Sequence, residues 1–383
     1  VNDLDRLDSL DVDALRRRRS AKWGIVSAPV IPAWIAEMDF AVAPPIAQAI
    51  DEAIGRGEFG YPLGEQETGL PEACARYQLE GFGWNVEESQ VHIVADVLRG
   101  IEVSINELVT SDGPVIVTTP CYPPFLELGR ACHRELITIP THGVQGDFDL
   151  ERIEDACRKG AGAFVLCNPH NPLGRTYTRG DLSQLGEITA RYGTRVIADE
   201  VHAPITYGTH VPFASVNEAN AMNAITITSA TKAWNFAGLK CAQIIFTNQT
   251  DDRTWLALPT MITQGASTIG IEASVAAYRD GRRWLEDTVS YLSGNRQLIA
   301  DRLTGPLARI SYRVPDATYL AWLDCRALEL PVPPHTYFLE RANVLLNDGA
   351  RFGPPGAGFV RMNFATSRAI LREILDALAA SLA

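Results

Sequence analysis

The sequence predicts an α/β domain built on a largely parallel sheet, joined to a smaller α+β domain. Three observations predict it. Short β-branched runs alternate with helical periodicity through the middle of the chain, the pattern of strand–helix–strand crossovers. The length of 383 residues exceeds the usual size of a single domain and is ample for a core. The two ends are written differently, Pro-punctuated at the start and rich in long helical patterns at the finish.

Taken in order, residues 1–45 hold a polar helix and then APVIPAWIAEMDFAVAPP, whose prolines demand extended or turn backbone. Buried strands are expected at 91–94, 115–118, 134–139, 163–166, 195–198, 225–228 and 242–246, where apolar β-branched runs are bounded by polar turns. Helical periodicity occupies 99–110, 150–157 and 182–192 between them. Beyond about residue 270 come helical patterns at 271–300 and 367–382, around short strands at 318–323 and 358–363. The large domain is therefore placed at 46–270, and the small domain at 1–45 together with 271–383. The cleft between two such domains is the expected ligand site.

Composition narrows the function. The formal net charge is −12, which offers nucleic acid and anionic membranes no general attraction. The one basic block, Arg16–Arg19, follows acidic residues and reads as a solvated helix face. No stretch has the roughly 18 uncharged apolar residues of a membrane span, and the charged start VNDLDRLDSL does not read as a secretory signal. The seven cysteines are scattered without a C-x-x-C pair, the usage of reduced, buried thiols in a cytoplasmic protein. Histidines show no metal-ligand spacing, so no metal site is expected. Only four lysines occur, Lys22, Lys159, Lys232 and Lys240, and chemistry that needs an amine must choose among them.

Three stretches end a predicted strand with polar residues, where open α/β sheets place their ligands. They are AFVLCNPHNPLGR (163–175), RVIADEVHAPI (195–205) and AITITSATKAWNFAGLKCAQIIF (224–246). Each has an ordinary reading by itself: Asn171-Pro172 a turn, Asp199-Glu200 a surface acidic pair or helix cap, Lys232 a solvated amine. Only their conjunction and order point to chemistry.

That order, an asparagine turn, a strand-end aspartate and Ser-x-x-Lys, resembles the pyridoxal 5'-phosphate (PLP) enzymes of the aspartate-aminotransferase fold, fold type I of the class I/II aminotransferase superfamily. KWGIVSAPVIPAWIAEMDF, GYPLGEQETGLPEA, TPCYPPF, ADEVH and VRMNFATSR narrow the resemblance to the MalY/PatB-type cystathionine β-lyases, a carbon–sulfur lyase branch. It runs from about residue 22 to the end of the sequence.

The resemblance implies a role for each matching residue. Lys232 stands where the family's lysine links covalently to the cofactor aldehyde, a task that suits an amine desolvated among cations. Asp199 stands where a carboxylate keeps the pyridine nitrogen protonated, an arginine being the rival, structural partner for a buried acid there. Asn171 matches the contact to the phenolic oxygen, and His202, at a position where aminotransferases usually carry tyrosine, matches either a contact to that oxygen or a residue behind those that touch the cofactor. Tyr122 matches a ring that stacks on the pyridine, and a core tyrosine at a turn would look the same. Ser229, Lys240 and the backbone of Val97 and Leu98 match the phosphate site, with lysine where an arginine fork is common. Relatives often carry glycine in place of Asp96, so its carboxylate is expected to point away from the phosphate and cap the helix. Tyr61 matches a tyrosine that reaches the phosphate of a neighbouring subunit, which implies a homodimer. Arg361 matches the grip on the substrate α-carboxylate, with Trp34, Ile35 and Ala36 at the substrate mouth. Where relatives read A-D-M-D-F, this chain has Glu37.

The implied activity is PLP-dependent β-cleavage of L-cystathionine or a related S-substituted cysteine to a thiol, pyruvate and ammonia, in sulfur amino acid metabolism and methionine biosynthesis. An aminotransferase is the alternative, since both reactions begin by removing the same Cα proton.

Overall fold

In the computed structural model, residues 7–143 and 145–383 are described. Residues 1–6, on which part of the charged N-terminal reading rests, lie outside them. The strands in chain order are β1 (Ile31–Pro32), β2 (Val91–Val94), β3 (Val115–Thr119), β4 (Leu136–Pro140), β5 (Ala163–Cys167), β6 (Arg195–Asp199), β7 (Ala224–Thr228) and β8 (Ala242–Phe246). They are followed by β9 (Ser311–Tyr312), β10 (Leu320–Asp324), β11 (Val344–Leu345), β12 (Asn347–Asp348) and β13 (Phe359–Asn363).

Seven of them form the central sheet in the order β2-β8-β7-β6-β5-β3-β4. All its pairs are parallel except the two made by β8, which runs against both β2 and β7. Alternate residues feed two separate cores, one on each face. Ile116, Phe164, Leu166, Val196 and Ala198 belong to one, and Val115, Val117, Val165 and Ile197 to the other. Burial on both faces explains why these strands read as continuous apolar runs. A second, four-stranded sheet has the order β12-β13-β10-β9. The short β1 pairs in parallel with β11, so the Pro-rich segment near the start is tied to the C-terminal part of the chain.

Several expectations are displaced. The strand expected from residue 134 begins at Leu136, because the Arg134 amide is committed to the preceding turn, donating to the Gly129 carbonyl at 2.9 Å. The helical pattern 271–300 is two helices, Thr268–Asp280 and Arg282–Arg302, interrupted at Gly281. The Trp234 indole donates to the Gly281 carbonyl at 2.9 Å, and a Cβ on Gly281 would lie 2.5 Å from that indole nitrogen. A boundary at 270 would therefore cut the first helix, which packs on Pro44–Arg56 and Leu70–Phe82. The arginine block straddles the end of helix Val12–Arg17, and Arg16 lies over Trp23 instead of facing solvent alone.

Among the described residues no helix is long and apolar enough to cross a membrane. All seven cysteines are free and buried. Burial pushes Cys74, Cys121, Cys241 and Cys325 up to about 12 and Cys132 to about 11, and raises Cys157 and Cys167 as well.

One polar clasp fixes the loop that carries Tyr61. His92, buried on β2, meets Glu65 at 3.0 Å through Nδ1 and Asp252 at 2.8 Å through Nε2. Glu65 also accepts the Ile93 amide at 3.0 Å. Burial pulls the imidazole down, but the two carboxylates outweigh it and hold it above its ordinary value.

Candidate active site

Strands β5, β6 and β7 are adjacent and parallel, with Cys167 opposite Asp199 and Asp199 opposite Ile227. Their C-terminal ends therefore deliver the three polar stretches to one edge of the sheet: Asn168–Arg175 after β5, Asp199–His202 from β6, and Ser229–Lys232 after β7. Arg361 comes from β13 in the other sheet, and the carbonyls of Trp34 and Ala36 in the segment 34–37 meet Arg361 and Lys232.

Four titratable groups define its electrostatics. Lys232 is half-buried, and its Nζ donates to the Ala36 carbonyl at 3.0 Å. Burial, aided by repulsion from Arg361, pulls its amine down to about 8. Asp199 is 5% exposed and accepts one backbone N–H, from Val201 at 3.1 Å. With no cation paired to it among the described residues, burial pushes its carboxyl up to about 7, and neighbouring Glu200 adds to the rise. Arg361 is buried yet touches only neutral oxygens: Asn171 Oδ1 at 2.9 Å, the Trp34 carbonyl at 3.0 Å and Asn347 Oδ1 at 2.6 Å. Its Nε has no partner and burial pulls the guanidinium down to about 10. His202 is buried with Nδ1 unpartnered, and burial pulls it down to about 3, so it is neutral.

A buried carboxylate without a cation and a buried guanidinium without an anion are each expensive. Together they fit a guest with a cationic ring nitrogen at one end and a carboxylate at another. Lys232 lies in the same cleft with an amine poised to lose its proton near neutral pH. Asn171 turns its carbonyl to Arg361, which leaves its NH2 for a further acceptor. Tyr122 is half-buried at the start of the turn Pro123–Glu127, its ring edge-on to Phe125.

Lys240 and Ser229, expected at a phosphate, are engaged within the protein. Asp96 does cap helix Val97–Val103, accepting the Arg99 amide at 2.9 Å, and Val97 and Leu98 open that helix. Its other oxygen pairs with Lys240 Nζ at 2.5 Å. Lysine in the arginine position and aspartate in the glycine position thus compensate each other. Ser229 is engaged inside its own turn, donating to the Cys241 carbonyl at 2.6 Å and meeting the Thr231 hydroxyl at 2.8 Å. Tyr61 is fully exposed, outside the Lys232 cluster. It borders an open groove of about 880 Å³ together with Phe59, Leu63, Leu256 and Met261.

Three contributors were not singled out from sequence. Asn347 lies opposite Arg361 across β12 and β13, a proximity set by pairing alone. Phe352 lies under the guanidinium, 4.9 Å from ring centroid to Cζ. Asn363 holds the carbonyls of Ile35 and Glu37, each at 2.6 Å. It stands two residues from Arg361 in VRMN, and strand periodicity could have revealed it. Among the described residues no group of three or more metal-ligating side chains is placed to hold an ion.

Known proteins resemble this chain over nearly its whole length. The aminotransferase class I and II family matches residues 35–378. A cystathionine beta-lyase of Corynebacterium glutamicum is 38% identical over 378 residues, spanning 97% of this chain and 99% of the relative. The cystathionine beta-lyase PatB of Bacillus subtilis is 30% identical, spanning 95% of this chain and 97% of its own. A solved structure from Corynebacterium diphtheriae, provisionally described as a PLP-dependent beta-cystathionase, superposes with a TM-score of 0.94 at 39% identity, covering 97% of this chain and 98% of that one.

Proposed function

The chain belongs to the class I and II aminotransferase family, and from that membership we propose that it is a PLP-dependent carbon–sulfur β-lyase. Its substrate on this reading is L-cystathionine or a related S-substituted cysteine. The observation that carries it is the cleft with three uncompensated groups: the Asp199 carboxylate, the Arg361 guanidinium and the Lys232 amine. Near-full-length likeness to cystathionine beta-lyases supports the choice of reaction.

When bound, PLP supplies an electron-poor ring that accepts the electron pair left behind as a Cα proton departs. Asp199 holds a protonated ring nitrogen and so maintains that electron demand. Arg361 grips the substrate α-carboxylate with its planar fork. The Lys232 amine takes the Cα proton, and its lowered pKa makes the neutral, proton-accepting form available at modestly alkaline pH. Loss of the β-thiolate and addition of water then give homocysteine, pyruvate and ammonia. On the same reading the chain divides into a large unit and a small one made from both ends, with the second boundary beyond helix Thr268–Asp280 and not at 270.

The test is to incubate purified holoenzyme with L-cystathionine, and separately with L-alanine or L-glutamate plus a keto acid. Pyruvate, ammonia and homocysteine from the first with negligible transfer in the second is the expected result. Rapid transfer to 2-oxoglutarate with little pyruvate would make it an aminotransferase.

The reading includes a homodimer with shared sites, in which the exposed Tyr61 reaches the partner's phosphate. Exposed Phe59, Leu63, Leu256 and Met261 around it support a partner on this face. Tyr61→Ala and Lys232→Ala proteins, each inactive alone, are expected to regain part of the activity when mixed, because one site of each hybrid holds both residues. Sedimentation as a monomer at micromolar concentration would rule this out.

A further inference from the structure

We propose that Lys22, paired with Asp39, is a positioning residue that sets the backbone of segment 34–37 against both Arg361 and Lys232. The inference rests on the roles given to those two residues under the proposed function.

Lys22 and Asp39 form an ion pair at 2.9 Å with side chains only 1% and 2% exposed. Removing two charges from water is costly, and apolar residues of like volume often serve stability as well. The contacts around this pair say what else it does. Lys22 Nζ also donates to the Glu37 carbonyl at 3.1 Å. Its own carbonyl accepts the Trp34 indole N–H at 3.4 Å, and the neighbouring Trp23 indole donates to Asp39 at 2.6 Å. Both ends of the stretch 34–39 are thereby tied to the dipeptide Lys22-Trp23.

Between those ties, successive carbonyls go to opposite partners. Those of Trp34 and Ala36 meet Arg361 and Lys232. Those of Ile35 and Glu37 meet Asn363, and Glu37 meets Lys22 as well. A shift of one peptide in this segment would move both carbonyls that orient the two cations. Lys22 touches neither cation, so its effect passes entirely through the backbone.

The test compares holoenzymes of wild type and the double variant Lys22→Met/Asp39→Leu, which removes both charges and is expected to fold with a near-normal melting temperature. KM for L-cystathionine is expected to rise on the order of ten- to a hundredfold, with cofactor content unchanged. A crystal structure of the variant is expected to show the carbonyls of Trp34 and Ala36 displaced. Unchanged KM and an unmoved segment would overturn the proposal and leave the pair as a stabilising contact only. Should the double variant not fold, Lys22→Arg keeps the charge but shifts its donors off the Glu37 carbonyl, and the same two readouts decide. Wild-type protein inactive on L-cystathionine would count against the lyase assignment, and the position of the segment in the variant would then decide this inference alone.

Discussion

Lys232→Ala is expected to lower turnover of L-cystathionine by at least ~10⁴-fold, since it removes both the covalent anchor and the base. The other lysines offer no substitute. Lys22 is buried against Asp39, while Lys159 and Lys240 are exposed and paired with Asp155 and Asp96. Lys232 has a neutral carbonyl as its partner and the lowered pKa that covalent capture of an aldehyde requires. Borohydride reduction of the wild-type holoenzyme followed by peptide mapping should place the adduct on Lys232, and an adduct on any other lysine would refute the site. The melting temperature should hold or rise, because the variant also loses a half-buried cation that Arg361 repels.

The second large effect is expected from Asp199→Asn, with opposite signs in two measurements. Turnover should fall roughly 10²-fold or more, because an electrostatic contact to the ring is lost. The cofactor-free protein should become more stable at pH 8. Folding raises this carboxyl from an ordinary 3.8 to about 7, so between those values the folded chain binds more protons than the unfolded one. Stability from this group is therefore fully present below pH 3.8 and lost as pH rises through about 7. Asparagine removes that loss, a difference on the order of a few kcal/mol. Thermal melts of both apoproteins from pH 5 to 8 would show it. Parallel curves together with near-normal turnover would mean that Asp199 serves structure only.

What could be read from the sequence followed from burial. Strands of a parallel sheet covered on both faces leave an unbroken apolar imprint, so the runs at 91–94 and 242–246 were found with their ends. Asp199 and Lys232 have ordinary readings alone and stood out only through the order in which the three strand-end stretches occur. The displaced features depend on partners distant in the chain. The break at Gly281 is imposed by an indole 47 residues earlier. The Asp96–Lys240 pair spans 144 residues. Asn347 reaches Arg361 only through the pairing of β12 with β13. Periodicity carries no information about any of these, and family resemblance drew attention to Asp96 and Lys240 without their pairing and to neither Gly281 nor Asn347.

The buried cysteines have a bearing on how such an enzyme would survive its own chemistry. Each proposed turnover releases a thiol beside the protein, and a released thiol exchanges with protein sulfur through thiolate attack and mixed-disulfide formation. Accessible cysteines of low pKa are the vulnerable ones. Here every cysteine is enclosed, with its proton held more firmly than in water. The chain therefore offers its product no reactive sulfur, and chemical inertness toward homocysteine comes from the same packing that builds the core.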